Sequence, residues 1–208
     1  MKISFVSIED GITALGFRKM ASFARSIHPS TEVCYLPLTN AYNPLRFLFK
    51  PGEHDRVYSD ADLNTIASHF AKSDVVCFSS MTAYSDLTKD IIQLTKKINP
   101  KTYIIWGGIH PIVHPEDAIE YPDAICVGEG ETAFKLFLSS FKEEGDYTST
   151  KNFWFNHNGK IIRNDFLPLH TSEEMDQFPF LLYADNELIC KHGKGFIPQN
   201  TKDYLSSY

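Results

Sequence analysis

The chain has 208 residues, 43% of them hydrophobic, and a formal net charge of −6. That length holds one α/β domain of about 130–150 residues plus an appendage, and that apolar fraction argues against disorder. The acidic balance argues against a phosphate-backbone binder, no apolar run approaches the roughly eighteen residues that span a bilayer, and MKISFVSIED is too short and too acidic for a signal peptide. A cytoplasmic protein is expected, with neither nucleic acid nor a membrane as partner.

In chain order, Lys2–Ile8 is a short run rich in β-branched residues and reads as a first strand. Thr13–Ile27 carries Leu15, Phe17, Met20, Phe23 and Ala24 at helical spacing. Glu32–Leu38 reads as a second strand. Ala41–Ser59, with Pro44, Pro51 and Gly52, reads as a loop that is long for a strand-to-helix connection. Its Tyr42, Phe47 and Phe49 are candidates to cover a ligand or a partner domain. Asp60–Lys72 reads as a helix with Leu63, Ile66, Ala67 and Phe70 on one face. Asp74–Ser79 is a third strand, apolar on consecutive positions as a strand covered on both faces should be. Ser85–Ile98 is a helix with Leu87, Ile91, Leu94 and Ile98 in register. Lys101–Trp106 and Asp123–Val127 are a fourth and a fifth strand, and Glu131–Lys142 is a helix. After Gly145, Asn152–Phe155 and Lys160–Arg163 flank Asn158-Gly159, a strong hairpin turn pair. The remainder reads as an extended linker with at most a short helix.

Strand–helix alternation predicts a doubly wound, parallel, five-stranded sheet of order 2-1-3-4-5, with residues 146–208 outside it. A ligand crevice is expected beyond the carboxyl ends of the strands. Four stretches fall there: Glu9–Gly16, Ser79–Tyr84, Gly107–Pro111 and Gly128–Glu131. Two of these are glycine turns that directly follow apolar strands, so that backbone can approach a ligand. Ser79, Ser80 and Thr82 carry hydroxyls suited to a ligand or to capping the next helix. Gly107 and Gly108 offer bare backbone or simply a tight turn. His110, between Ile109 and Pro111, suits hydrogen bonding better than metal ligation. Gly128-Glu129-Gly130-Glu131 is not a phosphate cradle, because its two carboxylates repel phosphate; Glu131 complements a helix N-terminus and Glu129 can accept from ligand hydroxyls or amides. Neither the dinucleotide fingerprint nor the Walker pattern occurs. Cys34, Cys77, Cys126 and Cys190 are far apart in sequence and read as buried, reduced thiols; no three-cysteine iron–sulfur spacing is present.

Gly107-Gly108-x-His110-Pro111, Pro115-Glu116, Asp123 and Gly128-Glu129-Gly130-Glu131 together resemble the cobalamin-binding domain of cobalamin-dependent radical S-adenosylmethionine enzymes. The resemblance covers residues 1–145 and continues more loosely through Asn158-Gly159 and Phe178-Pro179. It implies a flavodoxin-like sheet holding cobalamin at its carboxyl edge, with the corrin over the loops and the nucleotide tail beside the sheet. It assigns cofactor contacts to Asp10, Gly11, Ser79, Ser80, Met81, Thr82, Gly107, Gly108, His110, Pro111, Gly128, Glu129, Gly130 and Glu131. The family's Asp-x-His-x-x-Gly motif is not met after the first strand: Ile12 stands in the histidine position and Gly16 falls one place late. The expectation is therefore base-off cobalamin without histidine ligation, with Met81 packing under the corrin. Residues 146–208 would lead to a radical domain holding the iron–sulfur cluster and S-adenosylmethionine, with methyl transfer among its candidate reactions and no catalytic residue in this chain. Two other uses stay open: a cobalamin-free interaction or regulatory domain, and a flavin-binding domain.

Overall fold

The computed structural model describes residues 1–9, 14–38, 58–157, 159–181, 183 and 186–199. Strands β1 (Ile3–Ser7), β2 (Glu32–Tyr35), β3 (Val75–Ser79), β4 (Tyr103–Gly107) and β5 (Ala124–Cys126) are parallel and lie in the order β2-β1-β3-β4-β5. This is the expected parallel core. The long connection before Ser59 falls largely on residues 39–57, outside the described residues.

The sheet does not stop at five strands. A hairpin of β6 (Phe153–His157) and β7 (Lys160–Arg163) adds antiparallel to β5. On the other side β8 (Glu187–Lys191) runs parallel to β2, with Cys34 opposite Leu188, and β9 (Gly195–Gln199) returns antiparallel to it. The result is one mixed nine-stranded sheet, β7-β6-β5-β4-β3-β1-β2-β8-β9. The expectation that residues 146–208 lie outside the sheet is thus overturned, as is the reading of the chain after the first hairpin as a mere linker. The physical reason is edge satisfaction: β5 and β2 would otherwise expose unpaired N–H and C=O rows. Pro198 sits in β9, an edge strand, where the lost donor costs no ladder bond.

Seven α-helices occur among the described residues: α1 (Leu15–Ile27), α2 (Asp60–Phe70), α3 (Ser85–Ile98), α4 (Ile109–Val113), α5 (Pro115–Ala118), α6 (Gly130–Lys142) and the short, exposed α7 (Ser172–Met175). Alternate strand residues feed two cores. Val6, Val76, Phe78, Ile104 and Trp106 pack with Leu63, Ile66 and Phe70 of α2 and Ile91 and Ile92 of α3. Phe5, Cys77, Ile105, Phe153 and Phe155 pack with Phe17 and Ala21 of α1 and Phe134 and Phe137 of α6. A capping box starts α2: Asp62 N donates to Ser59 Oγ (3.2 Å) and Ser59 N donates to Asp62 Oδ2 (3.0 Å).

Five contacts fasten the second hairpin. The fully buried Arg18 and the nearly buried Arg25 point at Glu187 of β8, at 3.4 and 3.7 Å. Gly193 N in the β8–β9 turn donates to Asp62 Oδ1 (2.8 Å), and His192 Nδ1 lies 2.6 Å from Asp62 Oδ2. Phe196 of β9 packs on His69, with ring centroids 4.4 Å apart.

Candidate cofactor-binding site

Between α1, α6 and the carboxyl edge of the sheet lies a cavity of about 400 Å³. Its walls are mostly apolar: Phe5 and Cys77 from the sheet, Phe17 and Met20 from α1, Phe134 from α6 and Phe153 from β6. Its rim is built by Ser79, Met81, Gly107, Gly108, Gly128 and Gly130 at the strand ends, with Ile109 and Ile112 of α4. Met81, Ile109 and Ile112 are each about half exposed, at 46%, 52% and 48%. An apolar hollow with a part-exposed apolar rim is suited to a ligand with one buried limb and one flat face.

The hollow exists because side chains are missing. A Cβ placed on Gly16 meets nothing within 4 Å, and one on Gly107 meets only Cys126 Cβ and Phe78 O at 3.8 Å. Gly108 has a different task. Its φ is +92°, and an added Cβ would sit 2.7 Å from Ser80 O. Only glycine holds this turn without strain. A bulky residue at Gly108 would therefore disturb the turn itself as well as any ligand.

The cavity brings together Ser79, Met81, Gly107, Gly108, Gly128, Gly130 and Glu131 of the residues singled out from the sequence. The others sit elsewhere. Ser80 is buried and accepts from Trp106 Nε1 and Thr88 Oγ1, both at 3.0 Å, tying β3 to β4 and α3. Thr82 opens a 3-10 turn and does not line the hollow. His110 and Pro111 are buried in α4. The His110 ring stacks on Trp106 at 4.9 Å, and its Nε2 lies 2.9 Å from Asp117, which Lys89 also holds. Burial lowers the His110 pKa against the upward pull of Asp117. Glu129 accepts from His170 N (2.9 Å) and pairs with His170 Nδ1 (2.7 Å). Asp123 accepts from Ile104 N (2.7 Å), so it joins neighbouring strands and does not line this cavity. Asp10, Gly11 and Ile12 lie outside the described residues.

Several wall residues carried no sequence signal of function. Phe5, Phe17, Met20, Phe134 and Phe153 look like ordinary core residues along the chain. Asn152 was also missed. Its backbone has φ +64°, its Nδ2 donates to Glu129 O (2.8 Å) and its Oδ1 accepts from Leu167 N (2.7 Å), so it props up the Gly128–Glu131 turn. Its left-handed backbone, which asparagine tolerates, shows only in the structure.

Two carboxylates line the cavity. Burial raises the pKa of Glu9. The Glu131 side chain, only 10% exposed, lies 3.4 Å from Lys19 Nζ. The Cys77 and Cys126 thiols on the wall are free, and burial pushes the first well up and the second to about 11. They act as small apolar surfaces with no nucleophilic character. No described histidine lines the cavity; His54 lies outside the described residues. Glu32, Cys34 and His69 also cluster, near the start of β2, but the Glu32 carboxylate is already occupied by Ser4 Oγ (2.9 Å) and His69 Nε2 (2.8 Å).

Residues 53–138 match the family model of the B12 binding domain. The resemblance carried by the two glycine turns is borne out. The fold is also that of solved cobalamin enzymes. The radical S-adenosylmethionine methyltransferase TsrM from Kitasatospora setae, solved with tryptophan and an S-adenosylmethionine analogue, superposes with a TM-score of 0.56 at 14% identity, over 79% of this chain and 30% of that one. The cobalamin-dependent S-adenosylmethionine radical enzyme OxsB with aqua-cobalamin gives 0.54 at 16% identity, over 81% of this chain and 22% of that one. The chain thus spans less than a third of the length of either enzyme. No curated protein matches it in sequence. No helix among the described residues is long and apolar enough to cross a membrane.

Proposed function

We propose that this chain binds cobalamin, with the nucleotide tail in the hollow between α1 and α6 and the corrin resting on the rim. The observation that carries the reading is the hollow itself: it is apolar, it is bounded by bare glycines, and it opens at the strand ends of the segment that matches the B12 binding domain. Its volume of about 400 Å³ suits a nucleoside-sized limb, and Met81, Ile109 and Ile112 offer an apolar rest for a flat macrocycle. Gly107 and Gly108 leave backbone for close approach. Phe5, Phe17, Phe134 and Phe153 exclude water from the buried limb.

Bound cobalamin supplies a cobalt centre that can carry a methyl group or an electron. This chain's part is to hold and orient it. With Ile12 where the motif has its histidine, an aliphatic side chain that cannot donate to a metal, the cofactor would be held base-off and without a histidine ligand. A radical domain with its own iron–sulfur cluster and S-adenosylmethionine would act on the cobalamin held here, methyl transfer being one such reaction.

The test is equilibrium dialysis of the chain against hydroxocobalamin, alongside Gly16→Trp. Gly16 lines the hollow and an added Cβ there meets nothing within 4 Å, so a bulky indole is expected to occupy ligand space. Retention by the parent and loss in the variant is the expected result. Equal retention by both would place the ligand elsewhere, and no retention by either would favour a cobalamin-free interaction domain or, if flavin is retained instead, a flavin site.

A further inference from the structure

Glu131 poses a problem that helix capping does not solve. Its place in the first turn of α6 accounts for an acid there, since that end of a helix favours negative charge. It does not account for a side chain that is nine-tenths buried and lines a largely apolar hollow. Burying an ionised group among Phe5, Phe134 and Phe153 is costly unless hydrogen-bond donors meet it. Lys19 Nζ lies 3.4 Å from Oε1 as an ion pair, on a side chain that is 38% exposed. Among the described residues no N–H or O–H group donates to this carboxylate, and the residue lines a space sized for a ligand limb.

We infer that Glu131 accepts a hydrogen bond from a ribose hydroxyl of the cobalamin nucleotide tail. This rests on the cofactor reading above and names which part of the ligand the site reads. The argument is one of matching. The corrin macrocycle is too large for the hollow, so the limb inside is the nucleotide. A dimethylbenzimidazole linked to ribose has no N–H donor. The phosphodiester is an anion and offers acceptors alone. The amide N–H of the aminopropanol linker lies on the corrin side of the phosphate and is kept in cobinamide, so within the limb itself the ribose hydroxyls are the donors left, and a carboxylate accepts strongly from hydroxyls. Glu9, the other acid of the hollow, is the poorer candidate, because its burial favours the protonated form and no cation is placed against it among the described residues.

The test compares two probes on the full chain by equilibrium dialysis: hydroxocobalamin, and diaquacobinamide, which keeps the corrin and its amides but lacks ribose, phosphate and base. Glu131→Gln is expected to weaken hydroxocobalamin at least about tenfold, the size of one charge-assisted hydrogen bond, and to leave diaquacobinamide within about twofold. Unchanged cobinamide binding also reports that the variant is folded. Lys19→Met removes the cation and keeps the carboxylate, and is expected to leave hydroxocobalamin within about threefold. Equal losses on both probes would mean that Glu131 reads a corrin amide, and would overturn the inference. So would a tenfold loss in Lys19→Met, which would make the ion pair the determinant. If the parent chain binds neither probe, the cofactor reading fails and this inference with it. If the parent binds both and Glu131→Gln shows no selective loss, the inference alone fails.

Discussion

Gly107 and Gly108 are adjacent, yet the structure asks different things of them. At Gly108, positive φ and the 2.7 Å approach to Ser80 O both exclude a side chain. Gly108→Ala is expected to destabilise the fold by roughly 1–3 kcal/mol, read as a lower urea midpoint. At Gly107 an added Cβ makes ordinary contacts, so Gly107→Ala should stay within about 1 kcal/mol of the parent. Equal midpoints for the two variants would contradict this account of the turn. The glycine pair was legible in the sequence, because two glycines directly after an apolar run mark a strand end where the chain turns tightly. His110 was legible as a hydrogen-bonding histidine, and it pairs with Asp117 while stacking on Trp106; Glu129 was legible as an acceptor, but its partner, His170, was not. The aromatic walls were not legible at all. Phe5 and Phe134 become cavity walls only because Gly16 and Gly107 leave space above them, and that is a fact of three dimensions.

At the scale of elements, helices and central strands followed from local pattern. The helix expected over Ser85–Ile98 has those same ends in the structure, since its apolar period and amphipathic face are strong. β8 and β9 escaped, because β8 begins with a charge, β9 contains a proline, and their stability comes from β2, about 150 residues earlier in the chain. Glu187 is buried between two arginines, so Glu187→Ala removes the carboxylate that both face. The contacts of 3.4 and 3.7 Å are long, and a loss of about 3 kcal/mol is expected, near the low end for breaking a buried pair. Amide hydrogen exchange should show β8 and β9 opening first; uniform protection would contradict it. Acid should loosen the same hairpin. The Ser59 hydroxyl bond and the Gly193 N–H hold Asp62 at about 2, below its ordinary 3.8. Burial alone would raise Glu32, but His69, Ser4 and Lys2 outweigh it and bring Glu32 to about 2 from 4.5. Both pKa values are depressed on folding. Their stabilisation is therefore complete above about pH 4.5 and lost as pH falls towards 2. Asp62→Asn should flatten the acid limb of a urea-midpoint against pH curve, whereas an unchanged limb would assign acid unfolding to other groups. On α1, Gly16→Ala adds a methyl to open space and removes a helix glycine, and should raise stability by about 0.5–1 kcal/mol.

For the whole molecule, the sheet aligns the ends of β3, β4 and β5 so that three loops converge on one hollow. That convergence was legible from strand–helix alternation and is the general outcome of a parallel sheet. The width of the sheet was not, because edge pairing depends on partners far apart in sequence. The central claim is that this hollow holds cobalamin by its tail with no nitrogen on cobalt. Electron paramagnetic resonance of cob(II)alamin mixed with the full chain tests it most directly. The account predicts a base-off spectrum, with the nitrogen superhyperfine splitting of free cob(II)alamin gone. A splitting that persists on addition of the protein would contradict it, whether the nitrogen comes from the cofactor's own base or from a histidine of the chain.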